Sequence, residues 1–472
     1  MPDLFGSPWP VSLLNVIIIT AIVFFQKRNP ISSMAWILVL IISPMFGGIL
    51  FLIFGVGTES FAQYRYRKKQ ELNANSVLAH QKELVEKQGE NTWKFSELVR
   101  YFLNSGFVYC ENNDVKVFTD AEKKYESLFA DIESAKESIN IIYFIIRNDI
   151  VGNKLVDLLA KKAGEGVKIR LMYDGLGSLL TPRRLFNRLR KEENCEIKEF
   201  FPVRLFSFSK INHRNHRKIV VIDDKIAYMG GMNIGDEYMS RAKKRNLNWR
   251  DTHLRIEGNA VEYVQRCFAQ DWEFSTGKDV PIKPYKGDAC GNVPMQIVSS
   301  GPDTLDEDIK CGMLRMLYGA KKYVYIQSPY FIPDDTFLNA IRIAAHSGID
   351  VQLMIPGIPD KKYVYHTTMS YVGELLDAGV RVFLYPGFIH AKTIVADNEI
   401  VTIGSANTDI RSFRLLFEIN SFMYSTELAE ECLSIFEKDR ALCHELTLEE
   451  YKKRGIIKTI KEGFFRLFSP IM

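Results

Sequence analysis

The feature that most constrains this chain of 472 residues is that its middle is written twice. From Ser138 to Gly175 it reads SINIIYFIIRNDIVGNKLVDLLAKKAGEGVKIRLMYDG, and from Lys322 it reads KYVYIQSPYFIPDDTFLNAIRIAAHSGIDVQLMIPG. Further on, HRKIVVIDDKIAYMGGMN (His216 to Asn233) is matched by HAKTIVADNEIVTIGSAN (His390 to Asn407). Gly166 and Gly348 lie 182 positions apart and the two histidines 174, so the copies stay nearly in register. Such a period is far longer than the roughly 20–50 residues of solenoid repeats. It implies two duplicated domains. In each copy apolar strand-like runs alternate with helical stretches, the pattern of α/β layers. Ser138–Ile146 and Val167–Tyr173 are expected strands with a helix near Lys154–Ala163 between them, and the two domains are expected to pack about a pseudo-twofold axis.

Each copy carries a His, a Lys two residues later, an Asp five beyond the Lys, then Gly-Gly or Gly-Ser, then Asn. On a strand, residues i and i+2 share a face, so His216 with Lys218, and His390 with Lys392, are expected to project together. Asp223 and Asp397 fall at odd spacing from the histidines and are expected to brace the motif loop. An imidazole can act as nucleophile or general acid near neutral pH. A lysine beside it supplies positive charge for a phosphate oxygen, and the amides of Asn233 and Asn407 supply donors. One such set can attack phosphorus but cannot also protonate the oxygen leaving on the far side. Two facing sets can do both, which predicts a covalent phosphohistidine on one imidazole while the other serves as acid and then base. Lys is a poor metal ligand, and neither motif has a second His or a Glu at chelating spacing, so no metal and no cofactor are expected.

Two N-terminal runs bear on where this chemistry happens. Trp9 to Phe25 is apolar except for Ser12, Asn15 and Thr20, and Met34 to Phe54 is uncharged, though Pro44, Gly47 and Gly48 interrupt it. Residues 1–10 hold no Lys or Arg, unlike a signal peptide. These runs predict a two-helix transmembrane hairpin, hence an integral, multi-pass protein of the cell membrane. Arg65, Arg67, Lys68 and Lys69 outweigh Lys27 and Arg28, placing the catalytic region in the cytoplasm by the positive-inside rule. The seven scattered cysteines form no Cys-x-x-Cys and fit a reducing compartment. A net charge of only +4, without basic–aromatic tracts, argues against nucleic acid. The tail GIIKTIKEGFFRLFSPIM (Gly455–Met472) gathers its apolar residues mainly on one helical side, as an interfacial helix beside anionic lipid does, or a helix packed on the protein.

The paired motifs resemble the HKD signature of the phospholipase D superfamily. The wording around them resembles bacterial cardiolipin synthases: Arg214-Asn-His-Arg-Lys-Ile-Val-Val-Ile-Asp-Asp, Gly230-Gly-Met-Asn-Ile-Gly-Asp-Glu-Tyr, Ser328-Pro-Tyr-Phe-Ile-Pro-Asp and Pro386-Gly-Phe-Ile-His-Ala-Lys. In the second copy Gly404-Ser-Ala-Asn stands where the family often has Gly-Thr, a swap expected to leave catalysis untouched. The resemblance implies an α/β fold of two phospholipase D-type α/β/α domains. It implies metal-independent transfer of a phosphatidyl group between two phosphatidylglycerol molecules, with anionic membrane lipid as partner. The implied catalytic set is His216, Lys218, Asp223, His390, Lys392 and Asp397, with His216 and His390 as the dyad. Superfamily members also set a carboxylate downstream of each motif against its histidine, a role that Asp251 and Glu418 fit. Plain hydrolysis of phospholipids, a membrane-tethered nuclease and a catalytically dead scaffold remain as alternatives, and oligomeric state is not readable. The expected division is a transmembrane hairpin over 1–56, a helical connector over 57–106, domains over 107–285 and 286–450, and an amphipathic tail over 451–472.

Overall fold

The computed structural model describes residues 9–25, 30–51, 77–83, 95–202, 212–239, 248–285, 287, 289–304 and 306–471. In the first copy the principal strands are β1 (Tyr109–Phe118), β2 (Ser138–Tyr143), β3 (Lys168–Asp174), β4 (Cys195–Phe200), β5 (Ile219–Ile222), β6 (Ile226–Gly230) and β7 (His253–Glu257). In the second they are β8 (Val293–Ser300), β9 (Tyr323–Gln327), β10 (Asp350–Pro356), β11 (Arg381–Tyr385), β12 (Thr393–Ala396), β13 (Ile400–Gly404) and β14 (Leu416–Met423). All join one sheet in the order β11-β10-β9-β12-β13-β14-β8-β1-β7-β6-β5-β2-β3-β4. Read outward from the β1–β8 contact, each half has the same order, shifted by seven labels. The duplication legible in the letters is therefore a duplication of topology.

Local chemistry explains the repeated unit. β2 and β3 are buried over nearly their whole length because both their faces are covered, as parallel strands in an α/β layer are. The helix between them, Ile150–Gly164, starts where Asp149 accepts the backbone N–H of Gly152 at 3.0 Å. β2 stops at Tyr143, three residues before the expected end. There the chain turns out of the ladder: Ile145 N–H donates to Asn233 Oδ1 at 3.1 Å, and Ile146 makes a lone bridge to Ile234.

Helices Ala121–Ser134 and Ile150–Gly164 cover one face of the first half, and Asp308–Gly319, Asp335–His346 and Lys362–Asp377 cover the corresponding face of the second. On the opposite face Val261–Thr276 and Thr426–Arg440 share one apolar core that runs across both halves, from Ile219 and Trp272 to Val395 and Ile403. The halves meet along β1, whose start pairs with β8 and whose end pairs with β7. Between those ladders Asn112 takes a left-handed conformation, and the buried Asn113 donates to the carbonyls of Cys110 (3.0 Å) and Val293 (2.9 Å) while accepting from Ala260 N–H (2.7 Å). One amide thus satisfies the backbone groups that the switch of partners leaves unpaired.

The N-terminal region departs from expectation. The run expected as one helix, Met34–Phe54, is split into Pro30–Ile42 (α2) and Pro44–Leu50 (α3), beside α1 (Trp9–Phe25). Pro44 has no N–H and pushes Ser43 out of helical geometry, to φ −134°. Asn15 reaches across from α1 to donate to the Pro44 carbonyl at 2.9 Å. No helix among the described residues is long and apolar enough to cross a membrane. Of the expected connector, 77–83 and Ser96–Asn104 are helical; most of its remainder lies outside the described residues.

Candidate active site

Neither motif sits within a strand as the i, i+2 reading expected. His216–Lys218 and His390–Lys392 are extended but unladdered, each just before a strand (β5, β12). Each is entered through a two-residue parallel bridge to the other half. Arg214–Asn215 pairs with Leu416–Phe417, and Phe388–Ile389 pairs with Trp249–Arg250. The ladders continue one step further: His216 N–H donates to the Phe417 carbonyl at 2.9 Å, and His390 N–H to that of Arg250 at 2.6 Å. The residues next after these acceptors are Glu418 and Asp251.

That register crosses the carboxylates. His216 Nδ1 lies 2.9 and 3.1 Å from the two oxygens of Glu418, and His390 Nδ1 lies 2.6 Å from Asp251 Oδ2. Asp251 and Glu418 are histidine partners as expected, but each serves the histidine of the other motif. Sequence proximity misleads because the parallel bridges, not the chain's own strands, set which side chains meet. In this arrangement Nδ1–H donates to the carboxylate, and the Nε2 lone pair is left for chemistry.

All four partners are buried, as are Lys218 and Lys392. Burial pushes the His216 imidazole down to about 4, against the pull of Glu418, and the His390 imidazole down to about 3, with Lys392 adding to the effect. Both are neutral in the resting site. Burial likewise lowers Lys218 to about 7 and Lys392 to about 8, against the opposing pull of Glu418 and Asp251. Each ammonium donates to the carbonyl of its own histidine, at 2.6 and 2.5 Å, which leaves further N–H donors on each. Lys392 acts electrostatically on His216, and Lys218 on His390, so the two motifs form one site.

The other expected residues divide. Asn233 is held by Ile145 N–H and by Tyr238, whose hydroxyl accepts from its Nδ2 at 2.5 Å. Asn407 differs: its Oδ1 is buried without a hydrogen-bond partner. Asp223 and Asp397 lie away from the two histidines. They stand at the far ends of β5 and β12 with φ of 53° and 55°, in hairpin turns whose next residues are also left-handed. Asp223 accepts the N–H groups of Lys136, Glu137 and Ser138, and Asp397 those of Lys321, Lys322 and Tyr323. Their carboxylates pin the start of β2 and β9 to the motif hairpin. Both carboxylates are engaged by these backbone donors at the end of the strand away from the histidine.

Several contributors were not read from the sequence. Phe144 meets His216 edge-on at 5.0 Å, while Trp249 and Phe388 lie 5.4 and 5.8 Å from His390. These rings make the site apolar around its charges. Of the two aromatic residues in Ser328-Pro-Tyr-Phe, Phe331 is core, and Tyr330 is half-buried near Phe388 with its hydroxyl on Asp360 at 2.6 Å. The two copies also differ where Gly231 in the first stands opposite Ser405 in the second. Ser405 Oγ donates to Glu418 Oε2 at 2.5 Å, whereas a Cβ on the matching Gly231 would stand 2.0 Å from Asp251 Oδ1. Glycine is required where the short carboxylate comes close.

Two buried imidazoles, each backed by a carboxylate from the opposite half and flanked by a lysine, define a two-motif enzyme of phosphodiester chemistry. Comparisons narrow this class. A family model described as cardiolipin synthase, PLD-like domain, matches residues 128–272 and 313–440, and one described as phospholipase D-nuclease N-terminal matches 13–55. The chain is 40% identical to cardiolipin synthase of Oceanobacillus iheyensis and 41% identical to the major cardiolipin synthase ClsA of Bacillus subtilis, over 98% of each chain. Among solved structures, phosphatidylserine synthase of Haemophilus influenzae Rd KW20 shares the fold, with a TM-score of 0.63 at 12% identity over 80% of this chain and all of that one. The chain belongs to the cardiolipin synthases of the phospholipase D superfamily, and it is an enzyme of that kind.

Proposed function

We propose that the enzyme transfers a phosphatidyl group from one phosphatidylglycerol to a second, giving cardiolipin and glycerol through a phosphohistidine. The observation that carries this reading is the crossed pair of histidines, each with Nδ1 bonded to a carboxylate and Nε2 left open. The donor phosphodiester lies between them against Lys218 and Lys392. Nε2 of one histidine attacks phosphorus, and the P–O bond to the donor's glycerol head group breaks. The other imidazole, neutral at rest, takes up a proton on Nε2 as the anionic phosphodiester binds, its charge stabilised by the carboxylate behind it, and gives that proton to the departing oxygen. The second phosphatidylglycerol then gives its hydroxyl proton to that same imidazole as its oxygen attacks phosphorus, releasing the first histidine. The aromatic rings around both imidazoles support transfer over hydrolysis by limiting water at the intermediate.

The same reading makes the protein an integral membrane protein with its catalytic region cytoplasmic. Residues 107–285 and 286–450 form two domains about a pseudo-twofold, between a membrane hairpin (1–56) with its connector (57–106) and an amphipathic tail (451–472). The outward apolar residues of α1 to α3, among them Ile17, Leu38, Ile42 and Phe46, support burial of these helices in lipid with α2 and α3 acting as one interrupted span. Mass spectrometry of the lipids formed from phosphatidylglycerol vesicles tests the reaction. Cardiolipin with glycerol is the expected product. Phosphatidic acid instead would replace transfer by hydrolysis, and no product would overturn the proposal.

A further inference from the structure

We propose that the C-terminal helix Ile456–Arg466 and the turn after it form a docking surface for an anionic phospholipid bilayer, a second membrane contact separate from the N-terminal helices. The helix is mounted inside out compared with one that packs on a soluble protein. Its contacts with the enzyme are made largely by polar and charged groups. Arg466 donates to Glu374 at 2.6 Å and to the Ser370 carbonyl at 3.1 Å, and the buried Glu462 accepts from Arg454 at 2.9 Å. Phe465 alone among its large apolar residues turns inward, stacked on His366 at 5.8 Å. The rest point away. Ile456, Ile457, Ile460 and Leu467 are 75, 67, 64 and 76% exposed, and Phe464 is 55% exposed.

At 100° per residue these side chains and Phe468 fall in a stripe roughly 120° wide, nearly opposite Glu462 and Arg466. A stripe of this width on an exposed helix calls for an apolar partner. The flanking charge selects which one. Lys461 borders the stripe, with Lys452 and Lys453 just before the helix; all three are exposed, and the outward stripe holds no acidic residue. Apolar residues rimmed by lysines match an acyl layer under anionic head groups, whereas a second copy of this helix would bring lysines against lysines.

The position of the helix gives this docking a consequence. It lies along Lys362–Asp377, whose start follows Asp360, the partner of the Tyr330 hydroxyl near the cleft. Tyr371 OH donates to Ser469 Oγ at 3.0 Å, and the terminal turn Ser469–Ile471 abuts the short helix Ile410–Arg414, which follows Asn407. Seating this edge on a bilayer fixes how the second half presents the cleft to lipid. The proposal rests on the reading of the substrate as a membrane lipid, but it is tested without turnover.

The full chain is reconstituted in phosphatidylcholine vesicles with and without phosphatidylserine, an anionic lipid that is not the proposed substrate, and amide hydrogen exchange is followed over 455–471. Exchange is expected to slow several-fold when phosphatidylserine is present. Lys461→Glu should remove most of that protection. Ile457→Ser with Ile460→Ser and Phe464→Ser should abolish it while exchange in 362–377, under the docked face, stays unchanged. Exchange indifferent to phosphatidylserine, or protection that follows protein concentration at fixed lipid, would overturn the proposal. Loss of cardiolipin synthesis with protection intact would count against the reaction and not against the docking.

Discussion

Glu418→Gln is the substitution that most directly tests the crossed site. The glutamine keeps the shape but loses the charge that faces His216 Nδ1 at 2.9 and 3.1 Å. A buried hydrogen bond to a charged group contributes about 1.5–3 kcal/mol, so losing the carboxylate's hold on the imidazolium alone costs roughly 10- to 150-fold in rate. The amide also offers an N–H to Nδ1, which would place the imidazole proton on Nε2 and occupy the lone pair needed for chemistry. That second effect takes the expected loss of kcat to about 10³–10⁴-fold, the range found when a triad carboxylate becomes an amide. Activity alone does not say which histidine was disturbed. Labelling with diethylpyrocarbonate does, since it modifies an unprotonated imidazole nitrogen and can be mapped by peptide mass spectrometry. Glu418→Gln should change the labelling rate of His216 and spare His390; Asp251→Asn should do the reverse. The opposite pattern, with each carboxylate controlling the histidine of its own motif, would refute the crossed assignment.

Other consequences are open to simpler measurements. Burial lowers Lys218 to about 7 and Lys392 to about 8, and a lysine carries its charge below its pKa and loses it as pH rises. The kcat/KM profile should therefore fall through about pH 7–8, with the limb displaced upward in kcat because a bound phosphodiester favours the charged form; a flat profile to about pH 10 would contradict this. Asp223→Ala or Asp397→Ala removes the acceptor of three backbone N–H groups, at about 1–3 kcal/mol, so calorimetry should show a lower unfolding temperature while kcat of the folded enzyme is nearly unchanged. Ser405→Ala should lower kcat roughly tenfold by loosening Glu418. Gly231→Ala should cost more than about 10²-fold, because its Cβ displaces Asp251 from His390.

The sequence carried the duplication, the layer type and the identity of the two lysines and two carboxylates nearest the dyad. Those are properties of pattern: β-branched runs such as Ile219–Ile222, and motif spacings that survive folding unchanged. What it could not carry was pairing across the chain. Asp251 sits closer in sequence to His216 than to His390, and only the two-residue bridges at Trp249–Arg250 and Arg214–Asn215 reverse that order. Segments so short have no periodicity to read. The break at Ser43 was written in Pro44, but the apolar composition around it outweighed one residue's stereochemistry. Ser405 was legible as a difference from Gly231 and illegible as a hydrogen-bond donor, because Glu418 lies 13 residues away along the chain.

The exchange of carboxylates bears on how such a site can evolve. Two identical chains meeting in the same way would have identical sites by symmetry, and any change on one side would appear on the other. Covalent joining lifts that restriction. Here one imidazole is backed by a glutamate that takes a serine's hydrogen bond, the other by an aspartate pressed against a glycine. Donation and acceptance of a proton at opposite faces of one phosphorus are different tasks, and a fused pair can tune each partner for its own. Neither half retains a complete set when taken alone, so loss of either domain removes the groups that serve the histidine in the other.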